Sequence, residues 1–195
     1  MRKIDREPRG RARFAPGQEL VVAGTVGKAG AGLVLEQKRE CLEARFSTCF
    51  LQRLEAAAGR TLGLTPARLT ACGATEWEPV GEGGILAALW DISGGYGCGF
   101  WADLLKVPAD QEIIEVCELF DLNPYRLRSG ECILIAADSG LFTVRALEEL
   151  AVRAAVIGVI EEGIARRVSI SGVTGFLERP KPDEIYKITG NALLE

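Results

Sequence analysis

The sequence contains no histidine among its 195 residues, and none of its six cysteines forms a Cys-x-x-Cys pair. Histidine is the commonest general base and the commonest metal ligand, so its absence removes both of these possibilities. Scattered cysteines argue against a zinc site and against a disulfide framework. We interpret them as reduced thiols packed as small apolar side chains, and we expect no metal site.

Long apolar runs and an excess of positive charge are also missing. The longest apolar candidate, residues 154–160, is too short to span a membrane, and the charged N-terminus lacks the apolar segment of a secretory signal. The formal net charge of −4 gives no overall basic footprint for nucleic acid. We therefore expect a cytoplasmic protein that binds neither membranes nor nucleic acid.

The first residues differ in composition from the remainder. The first thirteen contain six basic residues against two acidic ones, with Pro8 and Gly10 among them. Such a segment predicts a basic, flexible arm over residues 1–15. The remainder is long and apolar enough to bury a core, which predicts one folded domain over residues 16–190.

Apolar periodicity within that domain predicts strands interleaved with helices. The central element is a buried helix over residues 85–92, followed by a flexible turn at Gly94, Gly95 and Gly97. Another helix is expected to run unbroken from the first glycine-rich turn to Phe46. The interleaving lacks strict alternation, so the pattern predicts an α+β fold with a mixed sheet. The predicted strands cover residues 19–26, 74–80, 98–104, 132–136, 154–160, 166–171 and 176–177.

Two glycine-rich turns lie between a strand and a helix, and they supply the candidate ligand-binding residues Gly27, Gly30, Gly83 and Gly84. Uncovered N–H groups at a helix start can bind an anion. Neither turn has the spacing of a P-loop or of a dinucleotide fingerprint. Close backbone packing is the favoured interpretation, and phosphate binding is the alternative.

Three carboxylates form a second candidate site. Glu76 and Glu78 lie two apart on a predicted strand and share a face, and Glu82 follows beyond the turn. Such a cluster suits a hard cation, or a base with a raised pKa. A solvated acidic strand edge is the favoured interpretation, since edge charges prevent unwanted pairing.

Four segments, in order, resemble the C-terminal domain of the aminoimidazole ribonucleotide synthetase superfamily, and most closely its hydrogenase-maturation dehydratase branch. The resemblance implies a three-layer α/β/α domain. The segments are GQELVVAGTVGKAGAGLVL (residues 17–35), GEGGILAALWDIS (81–93), VCELFDLNPYRLRSGECILIA (116–136) and AAVIGVIEEG (154–163).

The resemblance also implies an N-terminal domain that binds ATP and magnesium, and we expect this chain to lack it. Two departures affect the glycine turns. A family-like His-Asp-x-Thr reads Glu78-Pro79-Val80-Gly81 here, and a family-like Asp-His reads Lys28-Ala29. The glycines remain where the polar side chains are replaced. We therefore expect no cofactor for the isolated chain, and ATP with magnesium only where a partner supplies the missing domain.

These expectations favour a stand-alone, non-catalytic domain that binds a partner protein or a ligand. The alternative is one half of a split ATP-dependent dehydratase or ligase-type enzyme, related to hydrogenase maturation or purine biosynthesis. We expect a homodimer or a partner complex, formed through the face near Trp77 and the Gly81–Gly84 turn.

Overall fold

The computed structural model describes residues 9, 10 and 13–190. Within them the chain forms seven strands and eight α-helices, with short 3₁₀ helices at Leu104–Lys106 and Pro124–Arg126. The strands are β1 (Glu19–Ala23), β2 (Ala74–Pro79), β3 (Gly99–Asp103), β4 (Ile133–Ala137), β5 (Ala154–Glu161), β6 (Arg166–Ile170) and β7 (Val173–Phe176). The helices are α1 (Lys28–Gln37), α2 (Arg39–Arg45), α3 (Thr48–Gly59), α4 (Pro66–Ala71), α5 (Gly84–Tyr96), α6 (Gln111–Leu119), α7 (Gly140–Glu149) and α8 (Tyr186–Thr189).

All seven strands belong to one sheet, in the order β2-β4-β1-β5-β3-β6-β7. Every neighbouring pair is antiparallel except β3 with β6, which is parallel. The sheet is therefore mixed, and its two edges are β2 and β7. The β6–β7 hairpin turns through Ser171 and Gly172, whose φ angles of 52° and 82° fit the type I′ turn that suits a two-residue connection.

Helices cover both faces of the sheet because the central strands bury side chains in both directions. In β1, Leu20 and Val22 pack on the face covered by α5, and Val21 and Ala23 pack on the face covered by α4 and α7. A further apolar cluster joins α1, α3 and α6 with Ile185 near the C-terminus. The predicted α+β fold with three layers and a mixed sheet is confirmed.

The central helix α5 is longer than predicted. Gly94 and Gly95 lie inside it, and the helix ends at Gly97, whose φ of 68° and N–H bond to Ser93 O form a left-handed cap. The expected flexible turn is therefore wrong for Gly94 and Gly95. Gly94 leaves room for Arg166, since a Cβ there would lie 3.3 Å from the guanidinium.

The helix expected to run to Phe46 is two helices, separated at Lys38. This residue adopts φ −123° and ψ 25°, outside the helical range. Residues 36–41 are exposed, so no packing holds the backbone in one continuous helix here. The apolar positions on either side, Leu35 and Leu42, still reach the same cluster.

The N-terminal segment is attached to the body at its described residues. Phe14 is 4% exposed and stacks on Tyr96 with 5.5 Å between ring centroids. Arg13 pairs with Asp138 at 2.9 Å, and its carbonyl accepts from the Thr75 hydroxyl at 2.8 Å. Residues 9, 10 and 13–15 thus belong to the folded domain, where we expected a flexible arm. The remainder of that arm, residues 1–8, 11 and 12, lies outside the described residues.

None of the helices in the described part of the chain combines the length and the apolar character needed to cross a membrane.

Candidate functional site

The first glycine turn is built for close packing. Gly27 precedes α1 with φ 76°, and its N–H donates to Ser129 Oγ at 2.8 Å. A Cβ on Gly27 would lie 2.9 Å from Ile113, and one on Gly30 would lie 2.3 Å from Leu127. Both positions therefore require glycine, Gly27 also for its backbone conformation.

The second glycine turn repeats this arrangement at the start of α5. Gly83 has φ 76° and Gly84 has φ 66°, and the Gly83 N–H donates to Asp183 Oδ2 at 2.9 Å. A Cβ on Gly84 would lie 2.4 Å from Tyr125 O. Both glycine turns thus pack against the segment formed by residues 124–129.

Asp183 is the residue that sequence reasoning missed. It is 2% exposed, and besides Gly83 it accepts from the Ile185 N–H at 3.0 Å. The Arg128 Nε lies 3.7 Å from its Oδ2. An internal carboxylate with a guanidinium beside it therefore occupies the helix N-terminus, where an anion would otherwise be favoured. Nothing in the local sequence pattern indicates this contact, because Gly83 and Asp183 are 100 positions apart.

Glu82 lies on the outer side of this turn. It accepts from the Tyr186 hydroxyl at 2.8 Å, and Arg128 approaches it at 3.8 Å. The hydrogen bond to Glu82 raises the pKa of the Tyr186 phenol. Glu82 therefore fastens the C-terminal segment around α8 to the glycine turn.

Glu76 has a different environment. It is fully buried on edge strand β2, so the favoured interpretation as a solvated acidic edge is wrong for this residue. Its Oε1 accepts from the N–H groups of Arg9, Gly10 and Trp77 at 2.9–3.1 Å, and its Oε2 accepts from the Tyr96 hydroxyl. This carboxylate fixes the N-terminal segment to the sheet.

Glu78 lies beside Glu76 and pairs with Arg9 at 3.7 Å, with 15% of its side chain exposed. The structure thus brings Glu76 and Glu78 to the same N-terminal segment, and it gives Glu82 other partners. Among the described residues, no group of three or more possible ligands is arranged to hold a metal ion.

Lys28, at the start of α1, is another buried charge. It is 2% exposed, and its ammonium donates to the Arg60 carbonyl. Burial lowers the pKa of Lys28, and the nearby charge of Arg60 lowers it further. The position where the family resemblance expects an acid therefore carries a cation that closes the turn against residue 60.

The six cysteines differ in burial, and Cys98 is intermediate. Cys72, Cys117 and Cys132 are buried, and burial raises the pKa of Cys117 and of Cys132 to about 12. These thiols are apolar packing groups at neutral pH. Cys41 and Cys49 are exposed, so the interpretation as packed thiols is wrong for them.

Exposed apolar side chains gather on the hairpin of β6 and β7 and the turn before it, which we call the ribbon (residues 164–176). Val173 is 76% exposed, Phe176 74%, Ile164 64% and Ile170 46%. Beside it lies a cavity of about 380 Å³, lined by apolar side chains such as Val168 and Leu177 and by the charged Arg126 and Lys181. Exposure of these apolar side chains to water does not stabilise a monomer.

The face near Trp77 does not have this character. Trp77 is 6% exposed and Phe100 is fully buried, while Trp90 lies under the Arg166 guanidinium at 4.1 Å. The described part of the chain shows no exposed large apolar side chain on residues 74–84. The expectation of an apolar interface there is wrong, because the N-terminal segment covers it.

The sequence matches no protein-family model and no curated protein. Similar solved structures exist. The structure of Escherichia coli HypE, a hydrogenase maturation protein, superimposes with a TM-score of 0.71 at 21% identity, covering 92% of this chain and 55% of that chain. HypE in a HypE–HypF complex gives 0.65 at 18% identity, covering 87% and 55%. Thiamine-monophosphate kinase from Stenotrophomonas maltophilia gives 0.64 at 25% identity, covering 84% and 52%.

The chain thus spans about half the length of the proteins that it resembles. At these identities the similarity establishes the fold. The chain has the fold found in HypE and thiamine-monophosphate kinase, both members of the aminoimidazole ribonucleotide synthetase-like superfamily.

Proposed function

We propose that this chain is a protein-binding module that carries out no catalysis on its own. The observation that carries the proposal is the ribbon, where Val173 and Phe176 are about three-quarters exposed on an edge strand. Apolar side chains in such a position are typical of a surface that another protein covers. The HypE–HypF complex shows that a protein of this fold binds a protein partner.

The glycine turns support the non-catalytic part of the proposal. The Gly27 N–H is bonded to Ser129 and the Gly83 N–H to Asp183, so internal oxygen atoms take the places that ligand oxygens would use. Glycine at these positions is explained by contacts with Leu127 and Tyr125. We assign Gly27, Gly30, Gly83 and Gly84 a packing role.

A double substitution on the ribbon tests protein binding. We expect Val173→Ser with Phe176→Ser to lose the protein that wild type retains in affinity capture from the native cells, measured by quantitative mass spectrometry. The matched control is Leu141→Ser with Phe142→Ser, since these two side chains on α7 are 58% and 56% exposed. Equal capture by wild type, control and ribbon variant would contradict the proposal.

The second candidate is one half of a split ATP-dependent enzyme of the dehydratase or ligase type. It is favoured by the coverage, since the chain accounts for 55% of the HypE chain. In that case a separate polypeptide supplies the ATP- and magnesium-binding half. Calorimetric titration with Mg-ATP, of the chain alone and of the chain together with any protein that it captures, separates the two candidates. We expect no heat of binding and no turnover in either case, whereas binding or turnover that requires the captured protein would favour the enzyme.

A further inference from the structure

The open side of β7 differs from most natural sheet edges. Charged residues, proline, a bulge or a covering segment usually protect such an edge. The sequence Val173-Thr-Gly-Phe176 has no charge and no proline, its register with β6 is regular, and all four residues are exposed. None of the described residues pairs with the outer side of β7, so this strand is able to accept a further strand.

The hydrogen-bond pattern shows which backbone groups are available. The Leu177 N–H donates to Arg166 O at 2.7 Å, so position 177 is bonded towards β6. Bonding alternates along an antiparallel strand, so Val173 and Gly175 are also bonded towards β6. The N–H and C=O groups of Thr174 and Phe176 therefore point to the open side.

We infer that a second copy of this chain binds here, with β7 of each copy antiparallel to the other around a twofold axis. The inference rests on the proposed function and names the partner. The register that bonds all the outward N–H and C=O groups of both copies places Thr174 of one copy opposite Phe176 of the other. Gly175 then lies opposite itself on the axis, and Val173 lies opposite Leu177.

This register is consistent with the geometry of a sheet. A twofold axis perpendicular to a sheet pairs only side chains that project from the same face. Thr174 and Phe176 meet this condition because they are two residues apart on the strand. The pairing buries Val173 against Leu177, and Phe176 against Thr174. The nearest charged residues, Glu178 and Arg179, come to lie opposite Gly172 and Ser171, so no like charges oppose each other.

The other edge of the sheet explains why the assembly stops at two copies. A head-to-tail filament would need β7 to pair with β2 of the next copy. The segment at Arg9 and Gly10 is fixed across β2 through Glu76, and β2 ends at Pro79, which lacks an N–H. Pairing of β7 with β7 is closed by symmetry.

The pairing occupies only a short strand, so we expect a reversible dimer rather than an obligate one. Analytical ultracentrifugation over about a hundredfold range of concentration should show the mass rising from 21.0 kDa towards twice that value. A wild-type chain that remains at 21.0 kDa throughout overturns the inference.

Charge reversal at the axis tests the register. No atom lies within 4 Å of a Cβ built on Gly175, so Gly175→Lys and Gly175→Glu are both accommodated in the monomer. Each variant alone places two like charges opposite each other across the axis and should stay monomeric. An equimolar mixture places Lys opposite Glu and should restore a dimer.

The outcomes separate this inference from the proposed function. Unchanged melting curves show that each variant folds. Variants that dimerise like wild type, or a mixture that stays monomeric while wild type dimerises, overturn the inference. If wild type is monomeric but the ribbon variant still loses a captured protein, the partner is not a second copy. The inference is then overturned, and the proposed protein-binding function stands.

Discussion

The two edge strands of the sheet, β2 and β7, differ in how their unpaired side is treated: β2 is covered and β7 is exposed. At β2, buried Glu76 accepts hydrogen bonds from the N–H groups of Arg9 and Gly10, and a distant segment covers the strand. At β7, the strand leaves Val173 and Phe176 exposed. A charge fixed by several hydrogen bonds stabilises the covered edge, whereas the uncharged edge leaves backbone groups for the pairing that we propose.

The largest effect should come from Glu76→Ala. It leaves the donors of Arg9, Gly10 and Trp77 without this acceptor inside the protein, so we expect a loss of about 3 kcal/mol in the free energy of unfolding. Urea denaturation measures it. Glu82→Ala is the control, since 55% of that side chain is exposed and its loss should shift the midpoint far less. Equal shifts would show that the two carboxylates contribute equally to stability and would contradict the prediction.

An intermediate effect should come from Asp183→Ala. The Gly83 and Ile185 N–H groups lose their acceptor and the Arg128 guanidinium loses a nearby charge, which should cost about 2 kcal/mol. Thermal unfolding followed by circular dichroism measures the change. Glu178→Ala, which removes an exposed partner of Lys181, should leave the melting temperature nearly unchanged. A stable Asp183→Ala protein would mean that the α5 N-terminus does not need this carboxylate.

The smallest effects compare one glycine from each edge. Gly10→Ala places a Cβ 2.6 Å from Thr75 O and from the Trp77 ring, so the covering segment must shift, at a cost of about 1 kcal/mol. Gly175→Ala meets no atom within 4 Å and should leave the stability of the monomer within about 0.5 kcal/mol of wild type. Denaturation of both variants at low protein concentration is the measurement. Similar losses at the two positions would remove the distinction between a covered edge and an open one.

The sequence predicted the fold better than the site, for a physical reason. The strands and the central helix follow from local apolar patterns, and the four resembling segments predicted the fold that the similar solved structures share. The environment of Glu76 depends on residues 66 and 67 positions away, and that of Gly83 on a residue 100 positions away. Local patterns contain no information about such partners, so a buried carboxylate was interpreted as a solvated one.

The same difficulty affected the predicted interface. The face near Trp77 was expected to form an interface. The structure instead places the Gly10 segment over Trp77 and the Arg166 guanidinium over Trp90. Phe176 is the exposed aromatic side chain at an edge, and the sequence assigned it only to a short last strand.

The β6–β7 hairpin also has a consequence for the order of folding. Its strands are joined by two residues, so it can form within microseconds, as isolated hairpins do. Strand β1 must instead pair with β4 and β5, more than a hundred residues along the chain, which makes its docking slow. During folding, the open edge is therefore present before the sheet that it belongs to is complete. Two chains that meet at that stage already present the strand through which we propose that the mature proteins pair.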